Sequence, residues 1–148
     1  MKTLILSILM IVNFSCKKEY KYFVSPQIQP YVKEYLKLMR DNDIKVKDQD
    51  FVIIFNSKMP LPNIAGYAYG MFKDDFVLIN INPIIWSVLN KHQKRTLIFH
   101  ELSHDLFNTL HTSDVHVMNP QLHNPMISFF NNTTKSDREL IKYIKDGI

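Results

Sequence analysis

Between positions 96 and 107 the chain reads TLIFHELSHDLF, a run that is apolar around much of its circumference when wound into an α-helix. Such a helix has no broad face to give to water, so it belongs at the centre of a domain with other elements packed around it. Yet it carries two histidines, and polar rings without partners in such a place are costly. On a helix, residues four apart lie about 40° apart around the axis and about 6 Å along it. His100 and His104 therefore project from one face, one turn apart, where both imidazoles can meet a single metal ion. Glu101 points roughly 100° away, beside the ion's open position, where it can hold a water without itself binding the metal. Zinc suits this set, because three protein ligands plus water make a catalytic site and four protein ligands a structural one. It brings the pKa of water toward ~7, and a carboxylate then takes the proton during attack on a carbonyl.

A third ligand has to come from beyond the helix. Asn108 is the expected stop, since Asn tolerates the left-handed backbone that reverses a chain at a helix C-terminus. That reversal can carry His111 back toward the histidine pair. His116 and His123, which flank Met118, are spare candidates; His92, among Lys91, Lys94 and Arg95, reads as a surface residue.

The stretch IFHELSHDLFNTLHTSDVHVMNP, 98–120, resembles the metzincin clan of zinc-dependent metallopeptidases, whose HExxHxxGxxH motif precedes a methionine-containing turn. Met118-Asn119-Pro120 is similar to the Met-x-Pro segment of the matrixin-like members. Two positions differ. His111 lies one residue farther from His104 than in the clan, and Asn108 replaces the helix-ending glycine. Both fit one extra residue of helix or turn, as in small bacterial metzincin-like proteins. The motif covers about 20 of the 148 residues.

The resemblance implies a zinc metalloendopeptidase acting on peptide or protein substrates, with zinc held by His100, His104 and His111. Glu101 would be the general base that later returns the proton to the leaving amine. Met118 would form an apolar floor under the imidazoles without bonding the metal. An edge strand above the cleft would hold the substrate backbone by strand addition; the segment 66–70, with Gly66, Tyr67, Ala68 and Tyr69, is the candidate. Tyr67, Tyr69 and Tyr143 are equal candidates for a second oxyanion donor. Two rivals stand beside this reading. In a gluzincin-type site the third ligand would be a downstream carboxylate, and Glu139 is the one Glu after Glu101. Alternatively, a lipid-anchored envelope protein could keep the zinc site without turnover.

Residues 1–15 read as an export signal: Lys2, the apolar run 4–12, then Ser15 directly before Cys16. The apolar run is too short to span a bilayer as an ordinary helix. Cys16 is the sole cysteine, so no intrachain disulfide can form. Its position resembles a bacterial lipoprotein processing site, although Asn13 stands where an aliphatic residue is commoner. This implies a lipidated Cys16 and a cell-envelope location, anchored stably by several acyl chains. The net charge of +4 is modest. Lys17, Lys18, Lys21, Lys33 and Lys37 read as a solvated basic face near the anchor. No interleaving of basic and aromatic residues suggests nucleic acid.

Composition is that of an ordinary globular chain, 46% hydrophobic and 22% charged. We expect a tether over 16–24 and then one domain, 25–148, working as a monomer. Ser25-Pro26 starts a helix whose Ile28, Tyr31, Val32, Tyr35, Leu36 and Met39 share a face to about Arg40. Asp41-Asn42-Asp43 is a turn and not a calcium loop, because the later ligands are missing. Strands are expected at 44–47, 51–56, 64–72 and 76–82, with the turn of a hairpin at 73–75. Gly66 and Gly70 mark an edge strand or a close backbone approach. Asn82-Pro83 opens a short helix, 90–93 turns into the zinc helix at 94–107, and Ser136-x-x-Glu139 is a capping box for a last helix that stops near Gly147. Asp105 opposes the helix dipole; a hydrogen bond to a ligand imidazole would explain it, and solvent exposure would do so more simply. The run 126–130 lines a pocket or covers the core. Together these elements predict an α+β, zincin-like fold: a small twisted sheet, mostly antiparallel or mixed, with helices packed on one side and the zinc helix beneath it.

Overall fold

A computed structural model describes residues 21–60, 63–69, 76–112, 116–119 and 133–147. The export signal, Cys16, the turn at 73–75, His123, the run 126–130 and the side chain of His116 lie outside the described residues.

The strands are β1 (Tyr22–Val24), β2 (Asp50–Phe55), β3 (Gly66–Tyr69) and β4 (Phe76–Ile81), and they form one mixed sheet in the order β1-β2-β4-β3. β1 and β4 both pair with β2 in parallel, while β3 runs antiparallel to β4 at the edge. Parallel neighbours cannot be joined by a hairpin. Helix α1 (Gln29–Asp41) makes the crossover from β1 to β2. The remaining helices are α2 (Pro83–Val88), α3 (Lys91–Phe107) and α4 (Thr133–Gly147).

Period-two alternation gives the sheet a buried face: Phe51 and Ile53 on β2, and Val77, Ile79 and Ile81 on β4. α1 contributes Val32, Tyr35 and Met39 to the same core, and α4 adds Leu140, Ile141 and Ile144. α3 runs through the middle. Every residue in 97–103 is buried, as a helix apolar on all sides requires. Two of its buried polar side chains, Ser103 and Arg95, are held by neighbouring groups. The Tyr35 hydroxyl donates to Ser103 Oγ (2.9 Å), which donates to the Phe99 carbonyl (2.7 Å). Arg95, 8% exposed, bonds Glu34 of α1 at 2.7 Å and both oxygens of Asp137 of α4 at 2.8 Å, and its guanidinium stacks on Phe99. One charged network therefore fastens three helices, through hydrogen bonds strengthened by the charge on both partners.

Several expected boundaries move. Residues 22–24, assigned to the tether, are β1, because their partners lie far along the chain in β2. The stretch 44–47 forms no strand; Ile44 packs into the core from a loop. α1 starts at Gln29, after a turn in which the Ser25 carbonyl accepts the amides of Ile28 and Gln29. α3 starts at Lys91, because Asn90 and Gln93 form a reciprocal capping box. α4 starts at Thr133, which places Ser136 inside the helix instead of at its cap. Asn82 caps α2 as expected, its Oδ1 accepting from Ile84 at 3.0 Å and Ile85 at 3.4 Å. Among the described residues no helix is long and apolar enough to cross a membrane.

Candidate metal centre

α3 presents His100 and His104 one turn apart, and Asn108 ends the helix in the left-handed region, at φ 51° and ψ 32°. The amides of Asn108 and Thr109 close back on the carbonyls of His104 and Ser103. This reversal delivers His111 to the other two rings. Its ring centroid lies 5.0 Å from that of His100 and 4.7 Å from that of His104. Among the described residues, the donor atoms of His100, His104 and His111 all lie within 4.8 Å of one another. Glu139 is not in that group; its carboxylate lies 3.8 Å from Lys135.

The hydrogen bonds around the rings settle which nitrogens face the centre. His100 Nδ1 contacts the Val117 carbonyl and His104 Nδ1 the Thr109 carbonyl, each at 2.6 Å. A carbonyl oxygen only accepts, so both Nδ1 atoms carry the proton and both Nε2 atoms, in the neutral rings, do not. Those Nε2 atoms lie 3.0 Å apart, and His100 Nε2 is also 3.0 Å from His111 Nε2. Two unprotonated nitrogens cannot hydrogen-bond each other. Burial lowers the pKa of His104, and the charge of His111 lowers it further, against the raising effect of the Thr109 carbonyl. A cation between the rings resolves the conflict. Tetrahedral ligands ~2.0–2.1 Å from an ion sit roughly 3.3 Å from each other, close to the spacing seen. The three histidines therefore fit a metal ion, and carbonyl anchoring of the distal nitrogens is the usual way such ligands are oriented.

Glu101 is 5% exposed and turned toward β3. A Cβ added at Gly66 would fall 2.6 Å from its Oε1 and 2.9 Å from its Cδ, so the strand approaches the carboxyl as only glycine permits. Burial raises the Glu101 pKa to about 8, and a hydrogen bond from the Ala68 backbone amide partly offsets this. That amide is available because of strand register. The Asn82 amide reaches the Ala65 carbonyl, so alternation turns the backbone groups of Gly66 and Ala68 to the open edge.

Met118 is fully buried in a 3-10 turn at His116–Met118. Its carbonyl accepts the Thr112 amide at 3.1 Å, and its Sδ accepts from Thr109 Oγ1 at 3.7 Å. These bonds join the His111 turn to the segment that supplies the Val117 carbonyl. The remaining candidates take other places. Tyr67 and Tyr69, with ring centroids 4.5 Å apart, stand on the face of β3 opposite Gly66 and Ala68, away from Glu101. The Tyr143 hydroxyl donates to the Leu110 carbonyl at 3.3 Å. Asp105 is 2% exposed, against the expectation of exposure, and accepts the Leu78 amide at 3.3 Å. His92 is exposed. Sequence reasoning missed Thr109 and Val117, whose contributions are backbone carbonyls and leave no side-chain signature.

No model of a known protein family, no characterised protein and no solved structure matches the chain.

Proposed function

We propose that this chain is a zinc-dependent, metzincin-like peptidase, anchored in the bacterial cell envelope by lipid on Cys16 and acting as a monomer on peptide or protein substrates. The observation that carries the reading is the pair of Nδ1–carbonyl hydrogen bonds, which turns the unprotonated Nε2 atoms of His100 and His104 toward each other and toward His111. When bound there, zinc supplies Lewis acidity toward a carbonyl oxygen and lowers the pKa of water toward ~7. Glu101 takes the proton of the attacking water and returns it to the leaving amine. A dication nearby favours the carboxylate and so opposes the burial that raises the Glu101 pKa. Among the described residues β3 is an edge strand, and its outward-turned backbone, apart from the Ala68 amide already bonded to Glu101, offers groups to which an extended substrate can add. Met118 supports the ligand turn from beneath.

Metal analysis of the purified protein beside its variants tests the proposal. Wild type should carry zinc, His111→Ala should lose it and Glu139→Ala should keep it; the reverse pattern would point to a gluzincin-type site. Glu101→Gln should keep zinc and lose proteolysis, and Cys16→Ser should move the protein from the membrane to the soluble fraction. The depth at which Glu101 is buried favours a second reading, an anchored zinc-binding protein without turnover. Zinc-loaded wild type that cleaves nothing in a broad peptide library would establish that reading instead.

A further inference from the structure

An open cleft of about 420 Å³ lies away from the three histidines, where the parallel strands end. Gln27 follows β1, Phe55 closes β2 and Pro83 follows β4, and all three line it. Tyr31 of α1, Trp86 and Ser87 of α2 and Lys94 of α3 complete the wall. The volume is in the range of small-molecule sites.

The walls specify a chemistry. Trp86, 6% exposed, is met edge-on by Tyr31 at 5.7 Å and by Phe55 at 5.5 Å between centroids. The three rings fill the space between one another, and the outer parts of Tyr31 and Phe55 are left as an apolar wall of the cleft, against which another ring can pack. Lys94 Nζ lies 5.3 Å from the Trp86 centroid, a cation held against the aromatic wall. Among the described residues no carboxylate pairs with Lys94, and none lines the cleft. A half-buried ammonium beside an aromatic wall calls for an anionic group on the ligand.

We infer that this cleft binds a small aromatic carboxylic acid, its ring against the wall formed by Tyr31 and Phe55 and its carboxylate on Lys94. The site is independent of the metal centre and stands whether or not the chain is a peptidase.

Trp86 is the chain's one tryptophan, so intrinsic fluorescence of the full-length protein reports on this cleft directly. The probe is 3-phenylpropionate, with 3-phenylpropanamide as its uncharged match. Expected is a saturable change in emission with the acid and at least about tenfold weaker binding of the amide. Lys94→Gln should weaken the acid to a similar degree, and Lys94→Arg should retain it. Absence of saturation up to about 10 mM acid, or equal affinity for acid and amide, overturns the inference. So does unchanged acid binding by a folded Lys94→Gln protein. The acid–amide comparison is made on wild type and decides the matter even if a variant fails to fold.

Discussion

Glu101 and Gly66 are matched to each other at the scale of single atoms. The folded state without metal holds Glu101 preferentially protonated, its pKa raised from 4.5 to about 8 by burial. The contribution to stability is therefore fully present below about 4.5 and is lost as pH rises through about 8, on the order of a few kcal/mol. In chelator-treated protein the melting temperature should fall over that window, and Glu101→Gln should flatten the curve. Parallel curves for the two proteins would refute the burial argument. Gly66→Ala puts a methyl group against the carboxyl and should cost about 1–3 kcal/mol in urea denaturation. Metal content should be preserved, because the three atoms nearest the added methyl all belong to Glu101 and none to a histidine.

At the scale of elements, the turn after α3 decides whether two histidines become three. Asn108 occupies the left-handed region and Thr109 supplies the carbonyl that fixes His104. A glycine there keeps the backbone at no steric cost, whereas a β-branched residue costs roughly 1–2 kcal/mol. Asn108→Gly should leave metal affinity near wild type, and Asn108→Val should weaken it by about tenfold in a cobalt or zinc titration. Equal affinities would mean that the turn does not position His111. The early start of α3 has a local cause as well. Asn90 and Gln93 cap it reciprocally, a pattern that is readable from the spacing once Asn is admitted in place of Ser or Thr.

At the scale of the whole molecule, the centre joins segments far apart in the chain: α3, the turn to His111, the 3-10 turn that offers Val117, and β3 over Glu101. A metal bound by the folded chain alone stabilises all of them together by mass action. Zinc at 100 times its dissociation constant should add about 2.7 kcal/mol, seen as a rise in melting temperature that chelation reverses. His100→Ala should abolish that rise. A zinc-independent melting temperature in wild type would remove the basis for a metal centre.

The sequence alone determined the central apolar helix, its histidine pair with Glu101, the left-handed stop at Asn108 and the cap at Asn82, and it marked Gly66 as an edge strand or a close backbone approach. Each follows from residues within a few positions of one another, where helical period, backbone preference and side-chain chemistry act locally. The tertiary structure decided what depends on distant partners. β1 exists because β2 lies beside it, Asp105 is buried because Leu78 meets it, and the tautomers of His100 and His104 are set by the carbonyls of Val117 and Thr109. Every residue offers the same carbonyl, so only the fold can say which of them comes within reach of a ring.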